Sequence, residues 1–327
     1  MTIATRIKGV HRKKLIYYLN EFYKYHPSEK YTIFHFVKNF KARLKNNKDA
    51  WMGVTGDTGN GKTLFALMSM ILFGRPMNLQ DNVTYLPSGD EITEKFTKLN
   101  FNCLLVDEAA KDLRSINWQK TSQKKVTTAA QTDRFKNNWV FLNLPNFNEF
   151  TKSLWLTSIQ FRAIVLYRTK TYARIIIQKK SRNWRDEDAW GDKIANEKYK
   201  RIKNKRIELT NEVILDIERK MSNTIMDFIV PNLELILPEI TNEYELLKAE
   251  SREKEESVDT PKINKYKDKY ERLMAVVSKA LVHNELNIGK IRVTKQEIAG
   301  KLGIGMPTLN RYLDMDIDKF KKSRGEQ

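Results

Sequence analysis

At 327 residues, the chain is long enough for one large α/β domain and one or two smaller modules. Its 59 Lys and Arg residues outnumber 40 Asp and Glu residues, and the net charge of +19 favours a polyanionic partner, either nucleic acid or an anionic membrane surface. The single cysteine excludes an internal disulfide framework and a Cys-rich zinc site. The longest apolar run, residues 65–73, is too short to cross a bilayer, and the charged N-terminus lacks the apolar stretch of a secretory signal. We therefore expect a cytoplasmic protein without a membrane span.

Residues 1–50 are the first segment with a distinct composition. They carry 12 Lys or Arg residues and 3 Asp or Glu residues, interleaved with aromatic side chains. This pattern predicts a basic helical N-terminal segment that contains two amphipathic helices. The basic face is either solvated or forms a collar that faces DNA, and the sequence does not choose between these alternatives.

Residues 51–180 alternate short β-rich runs with helical patterns, which is typical of a wound α/β sheet. We expect the catalytic core here. Two of the β-rich runs, residues 161–169 and 171–178, follow each other closely and predict a β-hairpin that extends the sheet.

Residues 181–260 are expected to form a mostly helical extension and a linker. The segment contains a basic run from Lys198 to Arg206, and it closes on a polar stretch that ends in Pro261. Such a stretch is typical of a flexible boundary. We therefore place a last small module at residues 261–327.

The strongest motif is a G-x-x-x-x-G-K-[ST] sequence at residues 56–63, called the glycine loop below. Glycines let such a loop curl so that backbone N–H groups point at phosphate oxygens, and the following helix adds its positive N-terminal end. Lys62 is expected to reach the β- and γ-phosphates of ATP, and Thr63 to hold Mg²⁺. The expected nucleotide-binding residues of the loop are Gly56, Asp57, Thr58, Gly59, Asn60, Gly61, Lys62 and Thr63. The strand-like run before the loop and the helical pattern after it disfavour the alternative, a plain glycine turn.

An apolar run at residues 101–106 ends in the carboxylates of Asp107 and Glu108. The carboxyl ends of parallel strands meet at one edge of a sheet, so we expect Asp107 near the glycine loop, where it would orient the water ligands of Mg²⁺. Glu108 is then expected to polarise the attacking water, and the pair favours hydrolysis of the nucleotide over its use as a phosphoryl donor. The alternative is a strand capped by an acidic pair that starts a helix.

A later strand-like run ends in the polar residue Asn143. The order of glycine loop, acidic strand end, basic turn and this strand resembles the HerA/FtsK-like and zonular-occludens-toxin-like ATPases of phages, plasmids and archaeal mobile elements. The resemblance covers roughly residues 51–180, and it is specific in the glycine loop. Outside that loop, the matching residues are Asp107-Glu108-Ala109, Asp133-Arg134-Phe135-Lys136 and Asn143-Leu144-Pro145.

This resemblance implies a RecA-like P-loop (ASCE) ATPase core that uses ATP and Mg²⁺, with Asn143 as the sensor near the γ-phosphate. Many members carry Gln where this chain has Asn143. The resemblance also implies a homo-oligomeric ring, with a hexamer favoured, in which an arginine of a neighbouring subunit completes the charge around the γ-phosphate. Arg134 is the first candidate, and the alternatives are Arg114, Arg162 and Arg168. For each of them a surface or DNA-phosphate contact is the competing interpretation.

Residues 294–313 resemble the helix-turn-helix family. Thr294 and Glu297 match a capping box that starts one helix, and Pro307 suits the first turn of the next. The resemblance implies that residues 261–327 are a small all-α DNA-binding domain. The residues expected to face the major groove are Thr308, Asn310 and Arg311. A helix-turn-helix used only for protein contacts is the alternative.

Two functions follow from these patterns. The first is an ATP-hydrolysing motor, a ring translocase on duplex DNA for packaging, transfer or segregation in a virus or mobile element. The second is an ATP-switched DNA-binding protein, such as a replication initiator, helicase loader or transposition regulator. The lack of an obvious second sensor arginine motif after the core favours the motor. A viral source would place either protein in the host cytoplasm.

Overall fold

The computed structural model describes residues 6–7, 9–46, 48–85, 88–109, 121–144, 158–181 and 189–253. The described residues up to Arg252 belong to one compact unit. The predicted helix-turn-helix domain, with Thr308, Asn310 and Arg311, lies outside the described residues, and so does Arg114. Within the described ranges, no helix is both long and apolar enough to span a membrane.

The described residues form nine strands: β1 (Arg6–Ile7), β2 (Ala50–Thr55), β3 (Met77–Asn78), β4 (Val83–Thr84), β5 (Cys103–Val106), β6 (Trp139–Asn143), β7 (Ile159–Arg168), β8 (Tyr172–Lys179) and β9 (Thr224–Pro231). They also form the helices α1 (Gly9–Lys24), α2 (Ile33–Lys45), α3 (Lys62–Phe73), α4 (Leu79–Asn82), α5 (Gly89–Lys98), α6 (Thr121–Thr132), α7 (Asp192–Asn204), α8 (Asn211–Arg219) and α9 (Leu233–Ile236). A tenth helix, α10, is described over residues 238–253, and a 3₁₀ helix spans Asp133–Lys136.

Seven of these strands form one sheet in the order β4-β5-β6-β2-β7-β8-β9. The pairs from β4 to β7 are parallel, whereas β8 and β9 are antiparallel to their neighbours. The fold is therefore mixed α/β, as the sequence predicts, and the expected hairpin of β7 and β8 is confirmed. β2 precedes the glycine loop and β5 precedes Asp107. Only β6 lies between these two strands in the sheet.

Both faces of the sheet are covered, which explains why its central strands are apolar on both sides. Side chains alternate between the faces: on β6, Trp139 and Phe141 join one hydrophobic cluster, while Val140 and Leu142 join the other. Helices α1, α2 and α3 contribute to the first cluster, and α5 and α6 contribute to the second. The result is a three-layer α/β/α arrangement whose carboxyl strand ends open at one edge.

The basic N-terminal segment forms the two predicted helices, and it is part of the core of the same unit. Phe36 and Phe40 of α2 are buried, and the ring of Phe40 stacks on Trp139 of β6 with centroids 4.7 Å apart. Tyr23 of α1 donates its hydroxyl to the backbone carbonyl of Ile229 in β9 at 2.7 Å. The segment is therefore integrated with the sheet rather than appended to it.

The region after residue 180 differs from the expected helical extension. Residues 224–231 form β9, which pairs with β8 and completes the sheet. Helix α10 then returns to the sheet, and its residues Ile240, Tyr244 and Leu247 are buried in the first hydrophobic cluster. The core of this unit thus extends well beyond residue 180.

Candidate functional site

The glycine loop connects the end of β2 to the start of α3, so it lies at the carboxyl edge of the sheet. Three of its residues, Gly56, Gly59 and Gly61, have positive φ angles of 140°, 84° and 89°. At Gly56 a Cβ would lie 2.4 Å from the backbone oxygen of Val165, so a side chain cannot fit without displacing β7. Gly61 is the N-cap of α3, and the positive end of that helix therefore faces the loop.

Lys62 folds back over the loop. Its ammonium group donates to the backbone carbonyls of Gly56 at 2.7 Å and Asp57 at 2.9 Å. Burial lowers the pKa of Lys62, and the nearby Asp107 and Asp57 oppose that shift. The ammonium thus lies across the concave side of a loop whose geometry suits an anion.

The remaining loop residues form a tight turn. The backbone N–H of Asn60 donates to the carbonyl of Asp57 at 3.2 Å, and the Asn60 side-chain amide approaches the Val165 carbonyl at 3.5 Å. Thr58 and Gly59 line a cavity in front of the loop. The turn therefore borders the cavity on one side and β7 on the other.

Asp107, Thr63 and Asn143 meet beside the loop. The hydroxyl of Thr63 donates to Asp107 Oδ1 at 3.1 Å. Asn143 donates from Nδ2 to the same carboxylate oxygen at 2.9 Å and to Thr63 Oγ1 at 3.1 Å. This meeting follows from the strand order, because Asn143 ends β6, which pairs with β5 on one side and β2 on the other.

The oxygen-rich cluster of Thr63, Asp107 and Asn143 has donors that suit Mg²⁺. A hydroxyl and a carboxylate are hard oxygen donors of the kind that Mg²⁺ prefers, and Mg²⁺ sites commonly use one or two carboxylates together with nucleotide phosphates. Asn143 Oδ1 is buried and has no hydrogen-bond partner among the described residues, which leaves a further oxygen unsatisfied at this point. The described residues contain no group of three or more His, Cys, Asp or Glu side chains arranged for a metal ion. The cluster therefore fits a metal that is shared with a bound phosphate.

Glu108 follows Asp107 in a left-handed conformation with φ of 50°, which is uncommon outside glycine. The backbone N–H of the next residue, Ala109, donates to the carbonyl of Asn143 at 2.9 Å. The Glu108 side chain is 38% exposed, so it reaches the solvent-accessible front of the cluster. A water held between a phosphate group and this carboxylate could donate a proton to it.

Three residues of α10 also reach the two carboxylates, and the sequence interpretation missed all of them. Tyr244 donates its hydroxyl to Asp107 Oδ2. Lys248 lies 2.7 Å from Asp107 Oδ2 and 3.0 Å from Glu108 Oε1, and Arg252 lies 2.7 Å from Glu108 Oε1. Their spacing of four residues places them on one face of the helix. This spacing is visible in the sequence, but it does not predict the contacts, because solvated basic helices show the same spacing.

These contacts shift the pKa values of the groups involved. Burial alone would raise the pKa of Asp107, but Lys248 and the hydrogen bonds from Tyr244 and Asn143 outweigh it, so the pKa lies below its ordinary value. Burial likewise disfavours the Lys248 ammonium, yet Asp107 and Glu108 raise its pKa overall. The pKa of Tyr244 is raised by burial and by Asp107, which keeps its hydroxyl protonated as a donor. Asp107 and Lys248 are therefore a charged pair at neutral pH.

A cavity of about 760 Å³ opens in front of the glycine loop. The loop residues, Asp107, Glu108 and Asn143 line one side, and α10 lines another through residues that include Lys248. Its volume is within the range of about 300–1,000 Å³ that is typical of small-molecule sites.

No protein-family model and no curated protein matches the sequence. Among solved structures, the chain is similar to the crystal structure of the N-terminal domain of zonular occludens toxin from Neisseria meningitidis, with 13% sequence identity. The match covers 46% of this chain and 91% of that chain, and its TM-score is 0.31.

The candidate arginines occupy different positions. Arg162 is buried with its side chain 8% exposed, forms an ion pair with Asp192 at 2.7 Å and donates to Gln178. Arg162 is therefore engaged by partners of its own chain, and its role as an arginine finger stays a prediction. Arg134 lies in the 3₁₀ helix, and its side chain is outside the described part.

Arg168 lies beside the glycine loop of its own chain. It donates to the backbone carbonyl of Gly59 at 3.3 Å and to the Asn232 side chain at 3.2 Å, and it forms an ion pair with Glu234. It also lines the cavity in front of the loop. Arg168 therefore lies where the glycine loop and the cavity of the same chain meet.

Proposed function

We propose that the chain binds a nucleoside triphosphate together with Mg²⁺ and hydrolyses it, with ATP as the expected nucleotide. The observation that carries this proposal is the meeting of Thr63, Asp107 and Asn143, whose hydrogen-bonding atoms lie within 3.1 Å of one another. They meet beside the glycine loop, across which Lys62 donates to the backbone carbonyl of Gly56. Each residue was expected from the sequence to serve the same ligand. A structural turn would not require a half-buried hydroxyl to converge there with a buried carboxylate and a buried amide.

The proposed roles follow from these positions. Backbone N–H groups of the glycine loop and the start of α3 bind the phosphates, and Lys62 exchanges its two carbonyl contacts for phosphate oxygens. Thr63 and Asp107 would hold Mg²⁺, which neutralises phosphate charge when bound. Glu108 accepts a proton from the attacking water, and Asn143 orients groups at the γ-phosphate.

The test is nucleotide binding and phosphate release by the full chain and by Lys62→Ala. We expect turnover to fall about 100-fold or more, because the charge that binds the phosphates is removed. Lys41→Ala is the matched control, since Lys41 is also partly buried and donates to a backbone carbonyl, that of Phe73 at 3.1 Å, but away from the loop. Equal turnover in the Lys62 and Lys41 variants would reject the proposed site.

We further propose that hydrolysis is coupled to duplex DNA in a homo-oligomeric ring, with a hexamer favoured and Arg134 supplied to the neighbouring site. The net charge of +19 supports a polyanionic partner, and the predicted helix-turn-helix residues Thr308, Asn310 and Arg311 supply a means of choosing a DNA site. Displacement of a triplex-forming strand from duplex DNA would test movement, because only a motor proceeds directionally. A chain that hydrolyses ATP on duplex DNA without displacing the strand would not be a translocase.

The second candidate is an ATP-switched DNA-binding protein, such as a replication initiator, helicase loader or transposition regulator. One observation favours it: Glu108 is held by Lys248 at 3.0 Å and by Arg252 at 2.7 Å, so the expected catalytic carboxylate is engaged by cations of its own chain. A switch requires such a restrained state, whereas a fast motor gains nothing from it. ATP-dependent assembly on DNA with little turnover would support this candidate.

A further inference from the structure

Both carboxylate oxygens of Asp107 are fully engaged by described side chains. Oδ1 accepts hydrogen bonds from Thr63 at 3.1 Å and from Asn143 at 2.9 Å. Oδ2 accepts hydrogen bonds from Tyr244 and, at 2.7 Å, from Lys248. An ionised carboxylate offers about four lone-pair positions. A water ligand of a metal ion can therefore reach Asp107 only after one of these donors has left.

The four donors belong to two groups that differ in how they are held. Thr63 and Asn143 are fixed by the start of α3 and the end of β6, which also frame the glycine loop. Tyr244 and Lys248 both project from α10, so one displacement of this helix releases both contacts on Oδ2. Lys248 is also the donor whose charge would repel a divalent cation. The donors that leave are thus those of α10.

Glu108 is restrained from the same helix. Its Oε1 lies 3.0 Å from Lys248 and 2.7 Å from Arg252. Two cations of α10 therefore neutralise the two acidic residues of the site. The Lys248 side chain is only 18% exposed. Burial of an ammonium is costly without such partners, so these contacts stabilise Lys248 in this position.

We propose that α10 is a cationic latch, formed by Tyr244, Lys248 and Arg252, that holds Asp107 and Glu108 without nucleotide and is displaced when Mg²⁺ and nucleotide bind. This inference rests on the proposed function. Lys248 competes with Mg²⁺ for Asp107, and Arg252 competes with the attacking water for Glu108. The latch therefore raises the Mg²⁺ concentration at which nucleotide binding reaches half-saturation.

The test measures binding of a fluorescent non-hydrolysable ATP analogue to the full chain over a series of Mg²⁺ concentrations. In Lys248→Met, which keeps the apolar stem and removes the charge, we expect half-saturation at about tenfold less Mg²⁺, the effect of removing a moderately strong competing ion pair. Lys220→Met is the matched control, because Lys220 pairs with Asp216 on a helix away from the site. It should leave the Mg²⁺ requirement unchanged.

Tyr244→Phe keeps the ring and removes one donor from Asp107, so it tests the latch even if Lys248→Met fails to fold. We expect it to lower the Mg²⁺ requirement in the same direction. An unchanged or higher Mg²⁺ requirement in both variants would overturn the latch, and weaker analogue binding at saturating Mg²⁺ in Lys248→Met would identify Lys248 as a phosphate ligand instead. If the wild-type chain binds no analogue at any Mg²⁺ concentration, the proposed function itself fails. Lys62-dependent binding with unaltered Mg²⁺ dependence in both variants rejects the latch alone.

Discussion

Thr63 donates its hydroxyl to Asp107 Oδ1 at 3.1 Å, although 44 residues separate the two along the chain. One residue starts α3 and the other follows β5, and the sheet order brings these two element ends to the same edge. A hydroxyl and a carboxylate paired at this edge are suited to hold one divalent cation between them.

Asp107→Asn should weaken Mg²⁺-dependent nucleotide binding by about 10–100-fold, because the amide retains the shape of the carboxylate but not its charge. The measurement is the Mg²⁺ concentration at half-saturation with the fluorescent analogue. Asp216→Asn, which alters an exposed ion pair, serves as the control. A wild-type Mg²⁺ dependence in Asp107→Asn would mean that this carboxylate has no part in holding the metal.

Glu108→Gln should preserve nucleotide binding and slow hydrolysis by about 10²–10⁴-fold, since the amide cannot accept the proton of the attacking water. Binding persists because Asp107 and the glycine loop are untouched. Single-turnover phosphate release, measured beside analogue binding, separates the two effects. Glu239→Gln is the control on α10, where Glu239 pairs with the exposed Lys14. A variant that hydrolyses at the wild-type rate would remove Glu108 from the chemistry, and one that neither binds nor folds would assign it a structural role.

Gly56→Ala should destabilise the fold by about 2 kcal/mol or more, because its φ of 140° is essentially confined to glycine and the new Cβ would meet the Val165 carbonyl at 2.4 Å. Gly59→Ala provides a matched comparison within the same loop. Its φ is 84°, but nothing lies within 4 Å of its Cβ position, so the expected cost is about 1 kcal/mol. Urea unfolding of both variants measures the difference, and equal losses would show that the contact with β7 contributes no strain.

The buried Cys103 should make the free energy of unfolding depend on pH. Burial raises the pKa of this thiol well above its ordinary value, and nearby Lys41 opposes the shift only in part. A raised pKa in the folded state contributes stability that is complete below the pKa of the unfolded thiol, about 8.5, and is lost as the pH rises towards the folded value. Relative to Cys103→Ala, the wild-type free energy of unfolding should therefore fall above about pH 8.5, by up to ~1.4 kcal/mol per pH unit. Parallel pH profiles of the two proteins in urea unfolding would contradict this.

The glycine loop and the Asp-Glu pair could be located from the sequence because each is a local pattern with a fixed relation to a strand end. Their convergence with Asn143 needed only the rule that parallel strands end at one edge. The hairpin of β7 and β8 was equally local, since a short turn joins two β-rich runs. Each of these predictions used either a local sequence pattern or the general rule on where parallel strands end.

The contacts of α10 were not predictable in this way. Tyr244 and Lys248 reach Asp107 from 137 and 141 residues further along the chain, and a basic residue on a helix is usually solvated. The strand β9 was missed because its flanking segments are helical and it pairs antiparallel at the sheet edge, where residues 224–231 need not be uniformly apolar. The burial of the N-terminal helices was not predicted either, because their high content of basic residues is typical of a solvated segment. Phe36 and Phe40 are buried and pack that segment against the sheet.

The geometry of α10 has a mechanical consequence. A helix rises about 1.5 Å per residue, so Tyr244 and Arg252 contact the site from points about 12 Å apart on one stiff rod. A displacement of this helix would act on all three contacts together, so Asp107 and Glu108 should be released in one step. Access of Mg²⁺ to Asp107 and of water to Glu108 should accordingly change together.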